Sequence, residues 1–354
     1  MEDSTTDLMD EFDYEKHNRK KFTLVIGLLV ATVFILFFDV YVTSCQYMTF
    51  NDFIDAFIHP ERLVNYKVII VRDIQLPIGI AGIVCGASFA LAGVIMQTML
   101  NNPLASPYTL GVSAGASLGA SLAIATGISS IAIFGTFLIP TMAFLFSGLA
   151  CAAIFLVARM KQFTAEVLVL AGIGLVFFFQ AVESILQYFM DSDTLKNIVF
   201  WSLGSLERVN WTIVPIITVL FVVIFILTYR KSWTLTTMRL GDTRARSLGV
   251  NVSRVRMWMF ALVSLLAAGC VAFVGSIGFI GIVGPHIARM LVGEDQRYLM
   301  VASALIGALV LEAADIVSKI IIPGIVFPIG VITAVIGVPF FFSLLLKKKG
   351  GAFW

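Results

Sequence analysis

What most constrains this chain is a succession of apolar runs, each near the roughly 20 residues a helix needs to cross about 30 Å of hydrocarbon. They fall at Phe22–Val42, Leu76–Leu100, Thr109–Thr126, Ile131–Val157, Thr164–Met190, Thr212–Tyr229, Met257–Val274, Ile277–Leu291, Tyr298–Ile320 and Phe327–Leu346, the eighth being short. No soluble core can absorb so much apolar side chain. The sequence is 59% hydrophobic and only 13% charged, with a mean hydropathy of +0.97, whereas a soluble domain carries about 25% charged residues. In lipid every backbone N–H and C=O needs an internal partner, which helices provide. The expected class is an all-α polytopic membrane protein of about ten helices, multi-pass in the cell membrane, with the bilayer as its first partner. A net charge of +2 gives no reason to expect a nucleic-acid partner.

The termini and the span count fix an orientation. Basic residues concentrate in cytoplasmic segments. With the N-terminus inside and ten spans, Arg62, Lys67, Arg72, Lys196, Arg208 and Lys319 fall outside, and the other 18 of the 24 Lys and Arg fall inside. Both termini are therefore expected in the cytoplasm. Residues 1–21 read as a cytoplasmic tail, acidic then basic and without structure at its start. Residues 22–349 read as one transmembrane domain, and 350–354 as a C-terminal tail. The first apolar run is too long for a signal peptide and lacks a small-residue cleavage site. Cys45, Cys85, Cys151 and Cys270 show no paired spacing, so no disulfide framework is implied.

Several chemistries can be set aside from the residues. The dipeptide Gly-Lys occurs nowhere, so the chain has no phosphate-cradling loop ending in Gly-Lys-Ser/Thr. Any ATP hydrolysis, with its Mg2+, must come from another chain, and no bound cofactor is expected here. His17, His59 and His286 are too scattered for a metal site. Gly111-Val112-Ser113-Ala114-Gly115 matches the nucleophile-elbow pattern, but that elbow needs a strand before the Ser. Here the segment opens a membrane helix, where small residues serve close helix packing.

Acids within apolar runs are costly and are functional candidates by default. Asp39, Glu166, Glu183, Glu312 and Asp315 are such acids. Glu312 and Asp315 share a helix face and suit either a relay or a bond to neighbouring helices. Glu183 lies between Gln180 and Gln187 on one face of the fifth run, as a wetted path or a helix interface would require. A shift of 182 residues lays Ala90, Gly93, Ile95, Pro103 and Gly111 on Ala272, Gly275, Ile277, Pro285 and Gly293. That register suggests an inverted repeat, a common transporter architecture.

The longest inner segment, Arg230 to Arg256, carries seven basic residues. Within it Asp242 is suited to cap a helix over Thr243–Leu248, with Gly249 supplying a left-handed C-terminal turn. Leu240, Ala245 and Leu248 give that helix a small apolar face. A solvated loop needs no such helix, but a cytoplasmic motor subunit could push against one.

At these residues the sequence resembles a known family. LGDTRARSLGVNVSRVR (240–256) is similar to the coupling segment of FecCD-type permeases, membrane subunits of ABC importers for iron-siderophores, haem and cobalamin. NNPLASPYTLGVSAG (101–115), FWSLGSL (200–206), GFIGIVGPHIAR (278–289) and FPIGVITAVIGVPFFFSLLLKK (327–348) resemble its other signatures, and the order holds from about Val71 to Lys348. The resemblance implies a permease dimer, from two copies or a related subunit, docked on a cytoplasmic ATPase dimer and served by an extracytoplasmic binding protein.

The resemblance also assigns residues. It gives ATPase contact to the coupling segment 235–254: Arg239, Leu240, Gly241, Asp242, Arg244, Ala245, Leu248, Gly249 and Val250. The fifth and tenth spans would line the path, making Gln180, Glu183 and Gln187 path candidates. Asn102, Pro103, Pro285 and His286 would be structural, with His286 not a metal ligand. One departure stands out: the family's Arg-Leu-Pro-Arg is Gln75-Leu76-Pro77-Ile78 here. Arg72, Arg62 and Lys67 are the nearby substitutes, and Lys319 falls where the family often has a basic residue after its Ala-Asp motif, here Ala314-Asp315. Arg62, Arg72 and Lys319 are thus the candidates for binding-protein docking, with headgroup anchoring the alternative for Arg72 and Lys319. The implied function is import of an iron(III)-siderophore-type chelate. Haem or cobalamin as substrate, or an ion-coupled secondary transporter using Glu183, Glu312 and Asp315, are the alternatives.

Overall fold

The computed structural model describes residues 2–45, 48–127, 135–161, 163–322 and 325–346. The basic trio Lys347–Lys349, the tail 350–354 and the start of the expected fourth span lie outside the described residues.

Each expected apolar run contains a described helix. The first helix, α1 (Glu2–Ser44), is 43 residues long. It takes in the N-terminal tail, the start of which was expected to lack structure. A capped amphipathic helix, α2 (Phe50–Ile58), follows, with Thr49 and Asp52 forming a capping box. The second span begins earlier than Leu76. α3 (Asn65–Val68) passes through a π-helical stretch, Ile69–Gln75, into α4 (Leu76–Leu100), giving 36 continuous helical residues. Pro77 therefore lies within a helix, and the wider π turn before it absorbs the donor that proline lacks.

The remaining elements are α5 (Val112–Ala125), α6 (Gly135–Met160), α7 (Ala165–Tyr188), α8 (Ser192–Ser202), α9 (Ile213–Tyr229) and α10 (Ser232–Met238). After them come α11 (Asp242–Ser247), α12 (Val252–Val274), α13 (Ile280–Val292), α14 (Gln296–Ile320) and α15 (Ile329–Leu346). Six described helices are long and apolar enough to cross a membrane, and α9 with α10, bent by 62°, makes a seventh. Three shorter apolar helices, in α5, α13 and α15, complete the set. Together they correspond to the ten expected runs. The amphipathic α2 and α8 were not anticipated.

At the centre sits α4, whose residues from Pro77 to Leu100 are almost all buried. It packs on α14, α13, α12 and α9. Close approach explains its glycines: a Cβ on Gly93 would lie 1.9 Å from Gly281 O, and one on Gly86 2.4 Å from Gly307 O. A second bundle of α5, α6 and α7 leans on α12.

The 182-residue register does not hold. Gly93 is inside α4, whereas Gly275 ends α12 at φ +78°; Pro103 lies in a loop, whereas Pro285 lies inside α13. What recurs is coarser. Each half has a long central helix, then a turn with a left-handed residue, then a short helix: α4 to α5 and α12 to α13.

Candidate translocation site

The short helices position the site. α5 has 14 residues and α13 has 13, each roughly 20 Å long against about 30 Å of hydrocarbon. The irregular segments before them, 101–111 and 275–279, must then be walled by protein or line a wet cavity. They meet each other: the Ser113 and Ser276 hydroxyls are hydrogen-bonded. Two further segments, around Gly204 and Gly330, converge there. Ser205 N–H donates to Val274 O at 2.8 Å and Gly330 N–H to Leu203 O at 3.1 Å. A Cβ on Gly204 or Gly330 would lie 2.7 Å from Ser276 O. Tyr108 comes within 4 Å of the same position on Gly278.

Above this junction opens a cavity of about 430 Å3, lined by α5, α7 and the two loops. Glu183 is buried in its wall. Its Oε1 accepts from Ser117 Oγ and Ser121 Oγ, each at 2.8 Å, and from Gln187 Nε2 at 3.4 Å. Gln180 lines the same space, so the structure brings the three expected path residues to one wall. Ser117 and Ser121, on one face of α5 with Ser113 at four-residue spacing, were not singled out, although that spacing is readable in the sequence. α15 supplies no lining residue within a single chain.

The Ser113 hydroxyl meets Ser276 and not a base. His59 pairs with Glu61 far along the chain, and His286 packs edge-on to Phe340 with ring centroids 6.1 Å apart. Among the described residues no cluster of His, Cys, Asp or Glu could hold a metal ion.

The Pro-His motif has a structural explanation. Pro285 has no N–H to give Gly281 O, four residues earlier. Gln97 Nε2 donates to that carbonyl at 3.1 Å, while Gln97 Oε1 accepts from Arg289 Nη2 at 3.0 Å. Asn102 Oδ1 accepts from Leu104 N–H at 2.9 Å, holding the turn that carries Pro103.

The coupling segment is helical but built differently from the expectation. α11 starts at Asp242, not Thr243, and its N-cap is Gly241 at φ +89°. Asp242 makes no cap bond. Its carboxylate instead accepts both ends of the Arg256 guanidinium, at 2.6 and 2.8 Å. Arg256, 4% exposed, also donates to Met99 O at 2.6 Å and Phe163 O at 3.4 Å. α12 begins at Val252, earlier than read, which puts Arg256 inside it. This guanidinium therefore joins α11 to the end of α4 and to the α6–α7 turn. Gly249 behaves as expected: at φ +83° it closes α11, with Gly249 N–H on Arg246 O and Val250 N–H on Ala245 O, both at 3.0 Å. Ala245 is buried, whereas Leu240 and Leu248 are 51% and 60% exposed. The apolar face is thus open, flanked by exposed Arg244 and Arg246. Arg239 pairs with Glu294 at 2.7 Å, as does Arg289 at 3.1 Å.

Of the three docking candidates, Arg62 and Arg72 are exposed on the segment before α4. Lys319 is not. It is 7% exposed, with Nζ 2.5 Å from Asp315 Oδ2 and 3.6 Å from Asp39 Oδ2. This corrects both sequence readings of Lys319, docking and headgroup anchoring: an ammonium placed between two buried carboxylates faces neither. Lys319 and Asp39 thus join α14 to α1, and Glu312 packs against Gly82 of α4 in the same region. None of the four cysteines forms a disulfide.

A bundle of apolar helices that encloses a polar, acid-bearing cavity, with a basic helical element at one end, defines a multi-pass membrane permease. The model of the FecCD transport family matches residues 28–347, and the chain belongs to that family. It is 36% identical to the Fe(3+)-citrate import system permease protein YfmE of Bacillus subtilis, over 78% of this chain and 81% of that one. It is 34% identical to the hemin transport system permease protein HmuU of Yersinia pestis, covering 78% and 83%. A solved structure described as a metal-chelate type ABC transporter, in an inward-facing conformation, superposes with a TM-score of 0.80. It has 29% identity over 92% of this chain and 99% of that one.

Proposed function

We propose that this chain is the membrane-spanning subunit of an ABC importer that carries an iron(III)-siderophore-type chelate into the cytoplasm. The observation that carries the reading is the pairing of two features in one chain. One is a polar cavity with Glu183 in its wall. The other is the exposed coupling helix α11, tied through Arg256 to the ends of the central helices. A bulky chelate suits a wide path with few charges in its wall. A bare cation would need a ring of carboxylates or carbonyls.

In this reading a cytoplasmic ATPase dimer seats on Leu240, Leu248 and the flanking arginines of α11. ATP-driven closure of that dimer moves α11, and the Asp242–Arg256 link passes the movement to α4 and α7. A second permease subunit faces the open side of the cavity, where α7 leaves Phe177, Phe178, Tyr188 and Phe189 exposed. An extracytoplasmic binding protein delivers the chelate, with Arg62 and Arg72 as the cations available to meet its acids. Both termini lie in the cytoplasm.

The test is uptake of radioactive iron offered as a panel of siderophores, haem and cobalt-labelled cobalamin. Wild type is compared with Gly249→Pro at equal membrane abundance. Proline cannot reach φ +83° and lacks the N–H that bonds Arg246 O. ATP-dependent uptake of one chelate, abolished in the variant and insensitive to an uncoupler alone, supports the importer. Uptake that follows the proton gradient and ignores the variant refutes it in favour of ion coupling.

A further inference from the structure

The wall of the cavity carries a sign as well as a polarity. Among its described lining residues Glu183 is the one charged side chain, and no Lys or Arg lines it. Every described bond to its carboxylate is an incoming donor, from Ser117, Ser121 and Gln187, so the group is held as an acceptor. The remaining polar wall (Tyr108, Ser113, Gln180, Ser184, Ser202 and Ser276) is neutral. Arg208, close to Gly275, is not among the lining residues; it donates to Phe200 O at 2.9 Å and lies over the Trp201 ring.

We infer that this path selects chelates without net negative charge, and that Glu183 sets the selection. The inference rests on the importer reading above and narrows its substrate class. An anionic complex passing the cavity would be forced against a carboxylate in a partly dry space, where like charges repel several-fold more strongly than in water. A complex of iron(III) with three hydroxamates is neutral, and a ligand with a free ammonium makes it cationic. Both also offer amide and hydroxamate groups to the Ser and Gln wall. Citrate, tris-catecholate and haem propionates bring negative charge.

Two measurements on the assembled transporter test this. In the first, Gln180→Cys is introduced into a Cys45→Ser background. Its modification rate is compared for a trimethylammonium and a sulfonate methanethiosulfonate, with Glu183 intact and with Glu183→Gln. The expected result is that the cationic reagent is favoured about tenfold and that the preference collapses in Glu183→Gln. Equal rates with Glu183 intact overturn the inference. The second measures ATP-dependent uptake of cationic, neutral and anionic iron(III) chelates by wild type and Glu183→Gln with the same binding protein. A wild-type preference for the cationic and neutral chelates, reduced about tenfold against the anionic one by Glu183→Gln, supports it. Equal transport of all three by wild type, or an unchanged ratio in the variant, overturns the charge selection and leaves the importer standing. If no chelate of any charge is taken up with ATP, the importer reading falls and the substrate inference with it. The thiol rates alone still decide the sign of the cavity.

Discussion

Gly281 O, stripped of its helical donor by Pro285, is bonded by a side chain from a different helix. A carbonyl left unpaired in a core costs about 1–3 kcal/mol, so Gln97→Leu should destabilise by about that much. Gly93→Ala should cost about 3 kcal/mol, since its Cβ would stand 1.9 Å from Gly281 O with backbone on both sides. Thermal unfolding in detergent checks both; an unchanged midpoint for Gly93→Ala would contradict the packing of α4 on α13. Lys319→Met strands two carboxylates whose side chains are 0% and 3% exposed and should cost about 3–5 kcal/mol. Adding Asp39→Leu and Asp315→Leu should recover most of that loss. If Lys319→Met instead leaves stability intact and weakens only binding-protein affinity, the buried placement is wrong.

Elements act here through their ends. α11 has only six residues, too few to persist alone, so its orientation depends on Ala245 beneath it, Gly249 after it and Asp242 bonded to Arg256. Arg256→Gln should cost about 2 kcal/mol, below the range for a fully buried pair because the Asp242 side chain is 42% exposed. Its larger effect belongs to coupling: ATP hydrolysis by the reconstituted complex should persist while chelate uptake per ATP falls. Equal loss of both would mean that Arg256 serves only folding. α2 gives a pH-dependent case. The Lys67 ammonium, 2.7 Å from Asp52, holds that carboxyl down at about 2, below its ordinary 3.8. The folded value is depressed, so the contribution is complete above pH ~4 and is lost as pH falls towards 2. Amide exchange in Phe50–Ile58 should accelerate across that window in wild type and not in Lys67→Met.

Across the whole molecule, motifs scattered over the sequence become one place. Segments 101–115, 200–206, 278–289 and 327–330 adjoin at Ser276, and the coupling segment reaches them through Arg256 and the end of α4. The apolar runs, their order, the short eighth helix and the Gln180–Glu183–Gln187 face were legible, because hydropathy and helical periodicity are local properties. So was the left-handed Gly249. The pairing of Asp242 with Arg256 was not: an Asp before a helix looks the same whether it caps the helix or meets a guanidinium fourteen residues away. Lys319 was misplaced for a similar reason, since its two carboxylates come from its own helix and from α1, far away in sequence. The 182-residue register failed because small residues recur by chance in a glycine-rich chain.

The sequence by itself determined a helical membrane protein with ten apolar helices, a basic segment between the sixth and seventh of them, and no Gly-Lys phosphate loop. Desolvation of the peptide bond and of charge acts on each segment separately, so composition and spacing suffice to read those features. Only the tertiary structure decided which buried charges pair, which serines face Glu183, and that two irregular loops meet to floor a cavity. Most of those depend on residues far apart in the chain, 62 positions for Ser121 and Glu183 and 192 for Gln97 and Arg289, and local periodicity carries no record of a partner at that distance.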